Sequence, residues 1–274
     1  MTALTPLKLV TANIQTSPIS ANPLTLLLTG NQGQIPPDII AFQEVVAAGL
    51  AGTDVTIANP KTSTDANGFP GNWTTVFVRT LDETGKAFGH ALCIRNASGI
   101  TVVSAKSTEI TNLPPADKEP RKLLTTVLKT REGFLFTVKS THLSWAGTAN
   151  STTTKNNLAA ILAAPGPQIV MGDMNTAWKY VSEIATNARY QFVPTTPAVT
   201  CYEAIGTFCL DYILCNFGQL VRQHICSFNA TGDTDHLAVS AELISSELMT
   251  DKTGGLPHSV PGIPNRAYED TLVA

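Results

Sequence analysis

The stretch Ile169-Val170-Met171-Gly172-Asp173-Met174-Asn175 decides the fold and points to the chemistry of this chain. Its apolar first half, ending in glycine, predicts a buried strand, and a polar pair, Asp173 and Asn175, follows at once. In extended backbone, residues two positions apart point to the same face, so both side chains are expected to face one cleft. The same letters are equally typical of an Asx turn that closes the strand. Both interpretations stand at this point.

Short apolar runs of the same kind recur along the chain, bounded by Gly, Pro, Asn and Asp, and each predicts a strand. Segments 22–30 and 151–165 predict helices, each with a capping residue at its start and a stop residue at its end. Segment 177–188 predicts a third helix. Many strands with few interleaved helices favour an α/β sandwich. The predicted strands are Leu7 to Ile14, Ile39 to Val45, Thr75 to Arg79, Ala91 to Arg95, Ile100 to Ser104, Leu123 to Thr130, Phe134 to Leu143, Ile169 to Gly172, Leu210 to Cys215 and Leu237 to Leu243.

Composition indicates a globular chain with a neutral surface. Of 274 residues, 43% are hydrophobic and 14% charged, against about 25% charged in typical globular proteins, which excludes disorder and a charged helical rod. The net charge of −3 supplies no global positive field toward nucleic acid or anionic membrane. The sequence contains no apolar run of the roughly 18 residues that a membrane helix needs. Nothing after Met1 is typical of a secretory leader, so a cytoplasmic location is favoured.

Domain organisation follows from where the apolar pattern continues. It extends through residues 1–245, which we interpret as one catalytic domain, and it fades in 246–274 into glycines and prolines typical of an extended tail. The five cysteines are odd in number and lack CxxC spacing, so neither a zinc cluster nor a full disulfide framework is supported. Cys201 and Cys209 flank a turn-like stretch, and we favour two buried thiols over a disulfide.

Polar residues with catalytic potential interrupt or end several other predicted strands. Asn13, the pair Gln43-Glu44 and His142 lie at or near such ends, and Asp235-His236 precedes the last strand. Asp211 lies inside an apolar run, where an unpaired charge would cost several kcal/mol. It therefore requires a partner, and a histidine is the obvious one.

In their order along the chain, these residues resemble the endonuclease/exonuclease/phosphatase superfamily, whose fold is that of deoxyribonuclease I, over about residues 7 to 244. The family motif Gly-Asp-Phe-Asn corresponds to Gly172 to Asn175, with methionine in place of the aromatic residue as an apolar plug. The terminal Ser-Asp-His corresponds to Thr234-Asp235-His236. The resemblance implies a four-layered α/β sandwich in which two packed mixed β-sheets are flanked by helices.

The resemblance also implies a metal site. It assigns Mg²⁺, with Mn²⁺ as the alternative ion, to Asn13, Glu44 and Asp235. A hard cation with few protein ligands keeps an open position and offsets the negative charge that develops on a phosphodiester under attack.

The remaining roles concern the phosphate and the attacking water. The resemblance implies that His142 polarises the scissile phosphate and that Arg121 contacts it. Asp173, aligned by Asn175, is expected to position or deprotonate the water. His236, oriented by Asp211, is expected to stabilise charge or donate a proton. No acidic residue near 72–79 is evident as a brace for His142, so its protonation state stays open at this point.

The substrate class follows less directly from these residues. The sequence lacks the P-loop pattern, GxSxG and the motifs of calcineurin-like phosphoesterases. A nuclease acting on DNA is favoured, with Trp73, Arg79 and Arg95 as residues that would flank a groove. The alternatives are a phospholipid phosphodiesterase or phosphoinositide phosphatase, with peripheral membrane contact through segment 66–73, and an inactive binding or assembly module. The low positive charge predicts modest affinity for nucleic acid with a shallow salt dependence. The oligomeric state stays open.

Overall fold

The computed structural model describes residues 6–15, 36–46, 55–58, 72–81, 87–114, 117, 119–145, 152–203, 206–226 and 234–248. Within them lie two short 3-10 turns, Asn96–Ser98 and Ser246–Leu248, and two α-helices, α1 Thr152–Leu162 and α2 Trp178–Asn187. The strands are β1 Leu7–Asn13, β2 Ile39–Val46, β3 Val55–Ala58, β4 Trp73–Leu81, β5 Ala87–Arg95, β6 Thr101–Ile110, β7 Arg121–Lys129, β8 Leu135–His142, β9 Gln168–Asp173, β10 Gln191–Val193, β11 Cys201–Glu203, β12 Gly206–Phe208, β13 Asp211–Cys215, β14 Gln219–Cys226 and β15 Ala238–Ile244.

Thirteen of these strands form two mixed sheets. The first has the order β14-β15-β1-β2-β5-β4-β3 and the second β10-β13-β9-β8-β7-β6, while β11 and β12 form a separate hairpin. Each sheet contains one parallel pair, β1 with β2 and β8 with β9, among antiparallel neighbours. The expected α/β sandwich with two mixed sheets is therefore confirmed.

The main core lies between the two sheets. Leu9, Ile39 and Leu92 from the first sheet pack in one cluster with Val138 and Met171 from the second. Fully burying one such side chain stabilises the fold by about 1.5–3 kcal/mol. This shared core fixes how the sheets are stacked.

A second cluster joins the helices to the outer face of the second sheet. Leu158 of α1 and Val181 of α2 pack against Val170 and Tyr212 of the sheet. Both faces of β9 are therefore covered, which explains why its sequence is apolar almost without interruption. Met174 belongs to the same cluster and is fully buried, as expected of an apolar plug.

All ten predicted strands are present, as are the helices predicted in 151–165 and 177–188. The predicted helix 22–30 lies outside the described residues, as does most of the predicted tail 246–274. The apolar pattern of the sequence did not predict β3, β10, β11, β12 and β14, which are short or lie at sheet edges. Strands of that kind bury too little to show an alternating apolar pattern.

Two further points concern cysteines and membranes. Cys201 and Cys209 are both free thiols, so the alternative of a disulfide between them is not supported.

Among the helices that the structure describes, none is long and apolar enough to cross a membrane.

Candidate active site

The alternation of side chains along five strands carries polar groups into one end of the layer between the sheets. In each strand the polar residue lies an even number of positions from a core residue, and even spacing means the same face. The pairs are Leu9 and Asn13, Ile39 and Gln43, Val138 and His142, Met171 and Asp173, and Ile213 and Asp211. The site is thus the polar end of the hydrophobic core.

Strand register sets the neighbours within the second sheet. His142 is paired with Asp173 in the parallel β8–β9 ladder, and Asp173 is paired with Asp211 in the antiparallel β9–β13 ladder. Facing residues in a ladder lie about 5 Å apart. Three strands therefore place a histidine and two carboxylates side by side before any loop contributes.

Gly172 permits the close approach of β9 to β8. Its φ is 145°, and a Cβ at this position would lie 1.9 Å from the backbone oxygen of Thr141. Only glycine fits such a contact, because it has no side chain. Gly172 therefore lets β9 pack closely against β8 just before Asp173, which brings the Asp173 carboxylate near its neighbours.

Asp173 and Asn175 do not share a face in the way that the extended pattern predicts. The strand ends at Asp173, Asn175 takes a φ of 43°, and its backbone N–H donates to Asp173 Oδ1 at 2.9 Å. The Asn175 side chain instead donates to the backbone oxygen of Leu143 at 2.9 Å. Asn175 thus aligns Asp173 through its main chain, and the Asx turn and the polar cluster exist together.

A β-bulge brings Glu44 to the site. The register between β2 and β5 shifts between Phe42 and Val45, and Glu44 takes a φ of 56°, which is unusual for a residue with a side chain. The bulge redirects the Glu44 carboxylate, which accepts a hydrogen bond from Asn13 Nδ2 at 3.0 Å. Without the bulge, Gln43 and Glu44 would point to opposite faces.

Asp173 lies at the centre of the cluster. Its Oδ2 accepts a hydrogen bond from Asn13 Nδ2 at 3.2 Å and lies 3.5 Å from His142 Nε2 and 3.7 Å from His236 Nε2. Burial, followed by the nearby Asp211 carboxylate, raises the pKa of Asp173 to about 7. The group therefore exchanges a proton close to neutral pH.

Asp211 and His236 form the buried pair that the sequence predicted. His236 Nδ1 lies 2.9 Å from Asp211 Oδ2, and Asp211 is fully buried. Burial works to lower the pKa of His236, but the Asp211 carboxylate and its hydrogen bond outweigh burial and raise it. His236 is therefore an imidazolium at neutral pH, donating from Nδ1 to Asp211 and leaving Nε2 directed toward Asp173.

His142 is in the opposite protonation state. Burial first, and then the charge of Arg121, hold the pKa of His142 well below its usual value. Arg121 Nη1 lies 3.3 Å from His142 Nδ1, and because a guanidinium only donates, Nδ1 accepts and the ring proton is on Nε2. The protonation state left open by the sequence is thus that of a neutral imidazole with its N–H toward Asp173.

Arg121 is at the site but does not extend freely into it. Its guanidinium pairs with Asp117 at 2.9 Å and Glu119 at 3.0 Å, and only 8% of its side chain is exposed. Asp235 lies on the other side, with Oδ1 3.6 Å from His236 Nε2. The Asp235 N–H donates to Gln15 Oε1 at 3.1 Å, and the Gln15 N–H donates to Asn13 Oδ1 at 3.0 Å, so Gln15 links Asp235 to Asn13.

Two residues expected beside a groove are elsewhere. Trp73 is fully buried and is paired in the sheet with Arg95. Arg95 forms an ion pair with Asp38, which precedes β2 and lies at the opposite end of that strand from Glu44. Trp73, the first residue of β4, is therefore a core residue at the end of the sheet away from the site. Arg79 pairs with Gly89 near the site end of the same sheet.

Three residues at the site were not predicted from the sequence. The ring of His90 lies 6.5 Å from that of His142, and burial followed by Arg121 lowers the pKa of His90 to about 3. Asp117 holds Arg121, and Cys201 Sγ lies 3.5 Å from His236 Nε2. Of these, only His90 could have been predicted from the sequence. Continuing the alternation of the strand predicted from Ala91 back by one residue places His90 on the core face.

The oxygen donors present fit a hard divalent cation. Glu44 and Asp173 both direct a carboxylate oxygen at the single amide nitrogen of Asn13, so two acidic groups share one neutral donor. Carboxylate and amide oxygens are the ligands that Mg²⁺ takes in proteins. Asn13 Oδ1 accepts one hydrogen bond, from the Gln15 backbone N–H, and has a second lone pair available for a cation.

The sequence is similar to that of a known protein family. The model of the family described as "Endonuclease/Exonuclease/phosphatase family" matches residues 10–236. No curated protein matches the sequence significantly.

Solved structures of similar fold include the following three. An endonuclease/exonuclease/phosphatase family protein from Leptotrichia buccalis C-1013-b is 16% identical with a TM-score of 0.58, covering 87% of this chain and 99% of its own. D. rerio TDP2 complexed with single strand DNA product is 14% identical with a TM-score of 0.62, and the match covers 88% of this chain and 100% of that one. The human Nocturnin catalytic domain with bound sulfate anion is 17% identical with a TM-score of 0.54, and the match covers 87% of this chain and 94% of that one. At these identities the likeness shows the fold alone.

Proposed function

The chain belongs to the endonuclease/exonuclease/phosphatase family, and from that premise we propose that it is a Mg²⁺-dependent phosphodiesterase that cleaves DNA internally. One observation carries the proposal. Asn13 Nδ2, His142 Nε2 and His236 Nε2 lie 3.2, 3.5 and 3.7 Å from the same oxygen of Asp173. A buried carboxylate surrounded by two histidines in different protonation states is suited to proton transfer near neutral pH.

Asp173 is the proposed base for the attacking water. As the water oxygen bonds to phosphorus, its proton passes to Asp173, whose pKa of about 7 suits a base at physiological pH. The backbone N–H of Asn175 holds the other carboxylate oxygen, so the basic oxygen keeps its direction. The bond from phosphorus to the leaving oxygen breaks on the far side, its electron pair stays on that oxygen, and the oxygen takes a proton from solvent water.

The two histidines are proposed to contact the phosphate oxygens. His236, kept as a cation by Asp211, supplies positive charge where negative charge grows in the transition state. His142, neutral and with its proton on Nε2, donates a hydrogen bond. Arg121 fixes the His142 tautomer from behind and adds its own field, although Asp117 and Glu119 already pair with its guanidinium.

Asn13 and Glu44 are proposed to hold the Mg²⁺, with Asp235 as the third ligand and Mn²⁺ as an alternative ion. When bound, the cation offsets charge on the phosphate oxygens. The residues of this chain hold the site in place through the bulge at Glu44 and through Gln15, which links Asn13 to Asp235.

DNA is the proposed substrate for two reasons. A protein of the same fold, D. rerio TDP2, is complexed with a single strand DNA product. The lipid alternative relied on segment 66–73 for membrane contact. Residues 66–71 of this segment lie outside the described residues, and the indole of Trp73 is fully buried. A binding module without activity would not require one histidine with a raised pKa and another with a lowered pKa around the same carboxylate.

The test is nicking of supercoiled plasmid by the purified protein with Mg²⁺, with an EDTA control and the Asp173→Asn variant. We expect metal-dependent nicking that Asp173→Asn reduces by at least about 10³-fold. Glu132→Gln should keep the wild-type rate, because Glu132 is exposed in the turn between β7 and β8, at the end of those strands away from Arg121 and His142. Hydrolysis of a phospholipid or phosphoinositide without nicking would refute the DNA assignment. No hydrolysis of either class would refute the enzyme.

A further inference from the structure

Cys201 is a buried thiol that the proposed reaction does not use, yet it touches the catalytic histidine. Its side chain is 1% exposed, and its Sγ lies 3.5 Å from His236 Nε2. Asp235 approaches the same nitrogen, with Oδ1 at 3.6 Å. We propose that Cys201, Asp235 and His236, here named the thiol cluster, form an inhibitory binding site for Zn²⁺. The inhibitory effect rests on the proposed function, but the binding itself does not.

The spacing of the three ligand atoms suits tetrahedral zinc. With a Zn–S bond of about 2.3 Å and Zn–N and Zn–O bonds of about 2.1 Å, tetrahedral angles require about 3.6 Å between sulfur and nitrogen and about 3.4 Å between nitrogen and oxygen. The observed distances are 3.5 and 3.6 Å. All three ligand atoms lie within 4.8 Å of one another.

The surroundings orient these atoms as zinc ligands require. Asp211 accepts the Nδ1–H of His236 at 2.9 Å, which directs Nε2 toward the cluster, and a carboxylate behind a metal-bound histidine is the usual support. Asp235 Oδ1 is buried and makes no hydrogen bond within the described part of the chain. It therefore has lone pairs to offer, and the 32% exposure of the Asp235 side chain leaves an entry path.

Ligand softness separates this site from the proposed magnesium site. Thiolate and imidazole select zinc, whereas the carboxylate and amide oxygens of Glu44 and Asn13 select Mg²⁺. Binding of zinc releases the thiol proton and the Nε2 proton of the His236 imidazolium to solvent. Zinc then occupies the nitrogen that lies 3.7 Å from Asp173 Oδ2. Asp235 is also the proposed third Mg²⁺ ligand, so zinc is expected to stop hydrolysis both by occupying His236 and by taking Asp235 from the magnesium site.

Binding is tested first without reference to activity, using Co²⁺ alone as a spectroscopic probe. Wild-type protein is expected to show a thiolate-to-cobalt absorption band in the near ultraviolet, which added Zn²⁺ removes. Cys201→Ser should lack the band. Cys209→Ser is the matched control, because Cys209 is a second free thiol and belongs to neither of the metal-binding clusters found among the described residues. Cys201→Ala replaces Cys201→Ser if circular dichroism shows that the serine variant is unfolded.

Inhibition is tested next, at fixed Mg²⁺, with each variant's rate expressed relative to its own rate without zinc. The concentration of Zn²⁺ that halves the rate should rise about tenfold or more in Cys201→Ser and stay unchanged in Cys209→Ser. A cobalt band that persists in Cys201→Ser, or equal zinc sensitivity in all three proteins, would overturn the site. If the protein hydrolyses no phosphodiester, the proposed function fails, and the cobalt band still decides the thiol cluster.

Discussion

Replacing Asp211 by asparagine removes one buried charge while keeping the shape of the side chain. Asp211 is fully buried, and its Oδ2 lies 2.9 Å from Nδ1 of His236. Removing one partner of a buried ion pair costs about 3–5 kcal/mol. We expect about 3 kcal/mol here. The pKa of His236 should fall, because the carboxylate that raises it is gone.

The sign of the pH dependence follows from the direction of the shift. Asp211 raises the pKa of His236 above its usual 6.5, so the stability that the pair contributes is complete below pH 6.5. It declines as pH rises through the raised folded value, by about 1.4 kcal/mol per pH unit, because only the folded state keeps the proton. Asp211→Asn should lose most of this decline.

Urea unfolding in EDTA between pH 7.5 and 9 measures the effect, because Asp173, with a pKa of about 7, is then largely ionised in wild type. The wild-type free energy of unfolding should fall more steeply with pH than that of Asp211→Asn, by about 1.4 kcal/mol per unit. A double-mutant cycle with His236→Gln at pH 7.5 should give a coupling energy of about 2–3 kcal/mol. Equal slopes, or coupling below about 0.5 kcal/mol, would refute the reasoning.

Three further predictions test the scaffold, the metal site and the base. Gly172→Ala should lower the free energy of unfolding by about 3 kcal/mol or more in a urea titration, because the new Cβ would lie 1.9 Å from a carbonyl oxygen of β8. Gly166→Ala, also at positive φ but with open space around it, should cost only about 1 kcal/mol; equal losses would contradict the close contact. Glu44→Gln should raise the Mg²⁺ concentration for half-maximal nicking about tenfold or more, with Glu132→Gln as control; an unchanged midpoint would remove Glu44 from the ligand set. Asp173→Asn should abolish nicking yet raise the free energy of unfolding at pH 8 in EDTA by about 3 kcal/mol, because an acid with a raised folded pKa destabilises the fold once ionised; a less stable variant would contradict that sign.

Most of the scaffold could be read from local pattern. A strand repeats every two residues, so an apolar run shows both that a strand exists and which of its residues face the core. Edge strands such as β14 escaped because they bury too little to constrain their composition. Buried strands do constrain their composition, so a polar residue in one or at its end stands out. Asn13, Asp173 and Asp211 could therefore be predicted as site residues.

Some features of the candidate site could be predicted from the local sequence, and others could not. The partnership of Asp211 with a histidine followed from the cost of burying a charge, which a single sequence already implies. The turn at Asn175 was decided by a backbone N–H that competes with extension of the strand. Glu44 reached the site through a bulge that no single-strand pattern announces.

The sequence by itself determined which residues enter the layer between the sheets, because side-chain alternation is a property of one strand. Only the tertiary structure decided which of them meet. Cys201 and His236 are 35 positions apart and touch across an isolated β-bridge, which joins the first residue of β11 to the segment before β15. Arg121 selects the tautomer of His142 from a neighbouring strand. Such contacts depend on strand register and on the stacking of one sheet on the other, and these are set by the packing of the whole core rather than by any local stretch of chain.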